Sequence, residues 1–227
     1  MWFTDEIGTL SLAKFPSRHD RRDVAAWEHL VTRMASDAGL DVPRTSLLDL
    51  GGEYRTFQAQ RFDRNGDGRV GYLSAKSMTG RIDGESGASY LDLVDVIERH
   101  GAPSAISADL HQLFLRVVFI VLIGDRDDHL RNHGFLRRPE RWRLAPAFDL
   151  TQSPEMSVHS LTFDGATGSP DLDVLRRSAG FYRISSAQAE SIIDRMYPLV
   201  ATWRDRARAL HIPRAEMEAI SPAFMVG

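Results

Sequence analysis

Apolar and polar positions alternate at the start of the chain and change to helical spacing soon after. Trp2 and Phe3, then Leu10 and Leu12 beyond Asp5-Glu6-Ile7-Gly8, predict a hairpin whose second strand reaches Lys14. Next, Val24, Trp27, Leu30, Val31, Met34, Ala35 and Ala38 recur at the helical period. Asp23 suits the N-cap of that helix and Gly39 its C-terminal stop. A second strand pair is expected from Thr45 to Leu50 and from Tyr54 to Phe62, joined by Gly51-Gly52. Asn65-Gly66-Asp67-Gly68 has turn chemistry. Beyond Gly87 the pattern is mainly helical, over Tyr90 to His100 and Leu110 to Ile123. A short β-like section surrounds Phe135 and Trp142 to Leu144, with Arg138-Pro139-Glu140 as its turn. Three further helices are predicted, over Leu172 to Ser178, Ala187 to Tyr197 and Val200 to Leu210. No internal repeat interrupts this order.

The chemistry sits where the longest apolar run ends. Leu113 to Gly124 is broken only by Arg116 and is too short to cross a bilayer, so it predicts a buried helix and no membrane partner. Directly after it comes Gly124-Asp125-Arg126-Asp127-Asp128-His129-Leu130-Arg131-Asn132, a polar loop on a rigid support. Asp127 precedes Asn132 by five residues, the separation found in the catalytic loop of protein kinases. Asp149 follows in Ala147-Phe148-Asp149-Leu150. Phosphoryl transfer uses such a set. One carboxylate, Asp127, orients a hydroxyl and takes its proton, while Asn132 and Asp149 offer magnesium hard oxygens. Lys14 supplies a cation from a strand, and Glu28 on the following helix is placed to pair with it.

Composition narrows the class without changing this picture. The 227 residues are 43% hydrophobic and 26% charged, as in ordinary globular domains. A net charge of -3 lacks the footprint of a nucleic-acid binder, although Arg18, Arg21 and Arg22 form a local basic cluster. With no cysteine, disulfide scaffolds, zinc-thiolate sites and thiol nucleophiles are excluded. No basic stretch followed by an apolar core opens the chain, and a cytoplasmic protein is expected.

Several segments together resemble the HipA family of bacterial serine/threonine kinases, the toxin halves of toxin–antitoxin pairs. They are Leu12 to Ser17, Asp37 to Pro43, Gln60 to Arg64, Gly124 to Leu136 and Trp142 to Leu150, in the family's order along nearly the whole chain. The Asp-x-His-x-x-Asn loop is similar to that of phosphoinositide kinases as well, so a lipid or small-molecule kinase is a more distant option. The resemblance implies an α+β, two-lobed protein-kinase-like fold. Residues 1–64 would form a small β-rich N-lobe with one helix, and residues 65–227 a larger, mainly helical C-lobe. It implies ATP and Mg2+ as cofactors, with Lys14 on the phosphates, Asp127 as catalytic base, and Asn132 and Asp149 on magnesium. His129 would brace the loop or touch phosphate, and Arg131 stands where lysine is common. Gln60, Arg61 and Phe62 would meet adenine in the lobe connector near 60–64, with Phe148 also lining the nucleotide site. The implied partners are an antitoxin with a helix-turn-helix domain, through which alone DNA would be met, and a protein substrate such as an aminoacyl-tRNA synthetase.

The family's glycine-rich, serine-bearing phosphate loop precedes the strand that here begins at Trp2, and no such stretch lies ahead of Lys14. Two expectations follow: a kinase core that takes this loop from another polypeptide, or a truncated, inactive kinase fold that binds a partner. Among other motifs, Asp63-Arg64-Asn65-Gly66-Asp67-Gly68 imitates an EF-hand opening but has Ser74 at the twelfth position, and is read as a hairpin turn. His19-Asp20 lacks the further ligands of a metal phosphohydrolase. His159 and His211 are expected to be structural.

Overall fold

A computed structural model describes residues 2–4, 10–66, 68–82 and 87–226. The chain begins with β1 (Trp2–Thr4), β2 (Leu10–Lys14), α1 (Val24–Asp37), β3 (Thr45–Leu48) and β4 (Thr56–Gln60). The four strands form an antiparallel sheet of order β1-β2-β4-β3. The turn expected at Asp5 to Gly8 lies outside the described residues. Register explains the face that matters. Leu12 pairs with Ala59 and Lys14 with Phe57, so these four side chains share one side of the sheet. Thr45 also pairs with Ala59, and its hydroxyl lies 2.8 Å from His29 Nδ1 on α1. The helix therefore covers the face that carries Lys14.

Asp23 caps α1 as expected, accepting from the Ala26 N–H, and Gly39 takes up a positive φ of 89° just beyond the end. The buried side of α1 faces the C-terminal segment. Glu216 accepts both the Asp23 N–H (3.1 Å) and the Trp27 indole N–H (3.0 Å). Arg55 ties Asp23 (2.6 Å) to the Leu210 carbonyl (3.0 Å), while Arg206 pairs with Asp37 at the other end.

A short pair, β5 (Arg64–Asn65) and β6 (Gly68–Arg69), leads to β7 (Tyr72–Ser74) and α2 (Ala75–Thr79). Helices α3 (Tyr90–His100) and α4 (Ile106–Ile123) follow. Then β8 (Gly134–Arg137) and β9 (Trp142–Leu144) complete a three-stranded sheet of order β7-β8-β9. The chain finishes with α5 (Leu172–Ser178), α6 (Ser186–Ala201), α7 (Trp203–Ala209) and α8 (Arg214–Ile220). Helix α4 is apolar on all sides because it is packed on all sides, from Leu110 to Ile123 except at Gln112 and His111. Among the described residues it is the one helix long and apolar enough to cross a membrane, and it is the core of the protein instead.

Several expected boundaries shift. Helix α4 starts at Ile106, a turn before Leu110, and α6 runs on through Pro198 to Ala201. The helix expected from Val200 to Leu210 breaks at Thr202 and restarts at Trp203. The strand expected from Tyr54 to Phe62 narrows to Thr56–Gln60. Strand β7 and helices α2 and α8, of three, five and seven residues, are too short to show a period in sequence.

Candidate active site

Lys14 lies at the centre of the cleft face. Its ammonium is 2.7 and 3.0 Å from the two carboxylate oxygens of Glu28, and it also contacts Asp149 Oδ1. The Phe57 ring lies beneath it, 5.7 Å from the nitrogen. Asp149 reaches this position from a left-handed backbone, φ 60°, a conformation that Asp tolerates better than most residues. Its neighbour Phe148 packs on Phe62 with ring centroids 5.8 Å apart, and Tyr72 lies 6.2 Å from Phe62.

Together these residues line a cleft of about 350 Å³ that also takes in Leu12, Ala59, Gln60 and Arg61. One end is apolar and aromatic, the other holds an ammonium between two carboxylates. Such a site suits a flat heterocycle joined to an anion. Arg61 is not a simple cleft cation, since it forms a bidentate pair with Asp63, which Arg64 also contacts. The oxygen that would open an EF-hand is thus engaged by two arginines, in keeping with a hairpin turn.

Burial pushes Glu28 up to about 7, against the pull of Lys14. For Lys14, desolvation would lower the value, but Glu28 and Asp149 outweigh it, so the ammonium stays charged. A carboxyl raised in this way stabilises the fold fully below its ordinary value of 4.5, and that contribution is lost as pH rises through about 7. Glu28→Gln is therefore expected to flatten the melting temperature against pH across this window. An unchanged slope would show that Glu28 does not titrate there.

The loop after α4 is fastened to the segment after Asp149. The Thr151 N–H donates to Asp125 Oδ2 (3.1 Å), the Ser153 N–H to the Gly124 carbonyl (3.0 Å) and the Asp127 N–H to Ser153 Oγ (3.3 Å). Burial first, then the charge of Asp128, raises the Asp125 carboxyl well above its usual range. Asp127 itself is exposed, as is Arg131, while His129, Asn132 and Asp149 are half-buried. His129 Nδ1 is buried without a hydrogen-bond partner among the described residues. The structure thus joins Lys14, Glu28 and Asp149 by direct contact and packs Phe62 on Phe148, and it fastens the start of the Asp127 to Asn132 loop to the segment after Asp149. Among the described residues no hydrogen bond joins Asn132 to Asp149, whose carboxylate contacts Lys14.

Sequence reasoning missed a buried polar group behind the loop, made of Tyr90, Arg116, Asp128 and His133. Arg116 was the available signal, because a charge inside an apolar helix must find a partner once buried. His159 is buried against Phe163 with centroids 5.0 Å apart, and burial, aided by Arg126, lowers it to about 4. It reads as a neutral packing residue.

Among the described residues no three His, Cys, Asp or Glu side chains form a ligand cluster. A carboxylate and an amide oxygen suit an ion that keeps water and phosphate oxygens in its shell.

Residues 4–203 match the family described as HipA-like C-terminal domain. A Haemophilus influenzae protein named "Putative kinase" is 28% identical over 162 residues, which is 65% of this chain and 47% of that protein. The Shewanella oneidensis HipA, solved with HipB and operator DNA, superposes with a TM-score of 0.74 at 17% identity, covering 94% of this chain and 55% of that one. The Helicobacter pylori proinflammatory kinase CtkA gives a TM-score of 0.56 at 14% identity, covering 92% and 94%. The chain thus spans about half the length of the Haemophilus and Shewanella proteins it matches. The fold is α+β and kinase-like, with two lobes.

Proposed function

The chain belongs to the HipA-like C-terminal domain family, and on that premise we propose that it is an ATP- and magnesium-dependent serine/threonine protein kinase of the HipA toxin type. The observation that carries this reading is the Lys14 ammonium held between Glu28 and Asp149 at the polar end of an aromatic cleft. In the proposal the lobes divide near residues 60–64. Leu12, Ala59, Phe62 and Phe148 enclose adenine, and Gln60 and Arg61 meet its edge from the connector.

Lys14 orients the phosphates, and Glu28 keeps the lysine extended. Asp127 Oδ accepts the proton of a serine or threonine hydroxyl as its oxygen attacks the terminal phosphorus, and ADP departs. His129 and Arg131 flank the transferred group from the same loop. Magnesium, held by Asn132 and Asp149, would neutralise phosphate charge. The substrate is then a protein hydroxyl in the cytoplasm, and an aminoacyl-tRNA synthetase is the substrate class we propose. By analogy with the Shewanella complex, the partner is an antitoxin with a helix-turn-helix domain, which would make any contact with DNA indirect.

Calorimetry tests the site. ATP with magnesium is expected to bind in the micromolar range, and Asp149→Ala to remove that binding. No heat at millimolar nucleotide would overturn the kinase reading in favour of a kinase fold that acts by binding a partner.

A further inference from the structure

Asp127 and Asn132 each precede a residue that the loop turns inward, Asp128 and His133. Both inward side chains are almost fully buried, at 3% and 1% exposure. Asp128 Oδ2 receives the Tyr90 hydroxyl and His133 Nε2, each at 2.7 Å. Arg116 Nη1, which can only donate, lies 3.2 Å from His133 Nδ1, so the ring carries its proton on Nε2 and donates it to Asp128. Arg116 Nη2 also donates to the Ala145 carbonyl at 2.8 Å, four residues before Asp149. Asp128 thus ties the start of α3 to the far end of the loop, and Arg116 in the middle of α4 ties His133 to the segment leading to Asp149.

We propose that the Asp128–His133 hydrogen bond is a clamp that sets the span between Asp127 and Asn132, making Asp128, His133 and Tyr90 positioning residues for the transfer site. This deepens the kinase reading and rests on it. The bond closes a loop of five peptide units whose two outward neighbours must face the same phosphates. Burial alone would favour a neutral Asp128, but His133, Tyr90 and Arg116 outweigh it and keep the carboxyl below its ordinary range. A misplacement of about 1 Å at such a site costs on the order of 100-fold in rate, so a fixed span has a function beyond stability.

The test is calorimetry with ADP, with and without magnesium, alongside the melting temperature. Wild type is expected to bind ADP more tightly when magnesium is present. His133→Leu should keep its metal-free ADP affinity and lose about 10-fold or more of the magnesium-dependent gain, the usual cost of removing an outer-shell partner. His133→Gln, whose amide can accept from Arg116 and donate to Asp128, should restore most of the gain. Should His133→Leu fail to fold, Tyr90→Phe keeps the ring and removes one donor, and a smaller loss in the same direction is expected. The clamp is overturned if folded His133→Leu or Tyr90→Phe keeps the full magnesium gain. It is equally overturned if metal-free and magnesium affinities fall together with the melting temperature, the mark of a structural role only. A wild type that binds no ADP removes the kinase reading itself, whereas a wild type that binds while the variants behave like it removes only the clamp.

Discussion

Asp127→Asn should leave magnesium–nucleotide binding intact and lower phosphoryl transfer by about 10²–10⁴-fold, the range set by removal of a general base. The asymmetry follows from where the carboxylate lies. Asp127 is exposed, and its side chain makes no hydrogen bond or ion pair among the described residues, so the fold does not depend on its charge. Its backbone N–H, bound to Ser153 Oγ, is untouched by the change. Asparagine has nearly the same shape and still accepts a hydrogen bond, but it cannot take the hydroxyl proton. The measurement is phosphate incorporated into a protein substrate, or into the chain itself, per unit time. Transfer at the wild-type rate would remove Asp127 from the chemistry.

Gly124→Ala is expected to cost about 4 kcal/mol, within the exceptional class of single substitutions, and to lower the melting temperature by roughly 8–16 °C. Two independent causes act at this position. Gly124 ends α4 in the left-handed region, φ 69°, where a Cβ meets its own backbone. A Cβ built there would also lie 2.0 Å from the Ala223 carbonyl oxygen, which cannot move away as a side-chain tip could. The damage would reach the site, because the Gly124 carbonyl receives the Ser153 N–H and the loop to Asn132 starts here. Gly180→Ala is the control, since nothing lies within 4 Å of its added Cβ and its φ is not positive. A melting curve for Gly124→Ala within 2 °C of the control would refute the argument, given about 2–4 °C per kcal/mol for a chain of this size.

Sequence reasoning recovered the elements whose period exceeds their noise. Helix α1 was found because seven apolar residues recur over four turns between a capping Asp and a stopping Gly. Helix α3 was found to the residue, and α4 was found except for its polar first turn, where Ser107 and Asp109 hide the start. Short elements such as β7 and α2 carry no period to detect. The site was legible in part for a similar reason. Asp127, Asn132 and Asp149 lie within 23 residues of one another, in motifs whose spacing has chemical meaning. The Glu28–Lys14 pair was expected from the order of strand and helix, and the packing of α1 on the face that carries Lys14 brings the two together. Tyr90, far from the loop in sequence, approaches Asp128 only after α3 and α4 have packed, so no local pattern could announce it, whereas Arg116 stood out as a charge inside an apolar helix.

Glu216, Arg55 and Arg206 fasten both ends of α1 to the C-terminal segment, and this has a consequence for control. Many kinases are switched by swinging the helix that bears the lysine's carboxylate partner, a motion that costs few contacts there. Here the same swing would break bonds at the helix start, at the Trp27 indole and at Asp37 in a single step. If the chain is the kinase proposed above, its Lys14–Glu28 pair would be held in place by these bonds, and restraint would have to come from outside, by blocking access or withholding substrate.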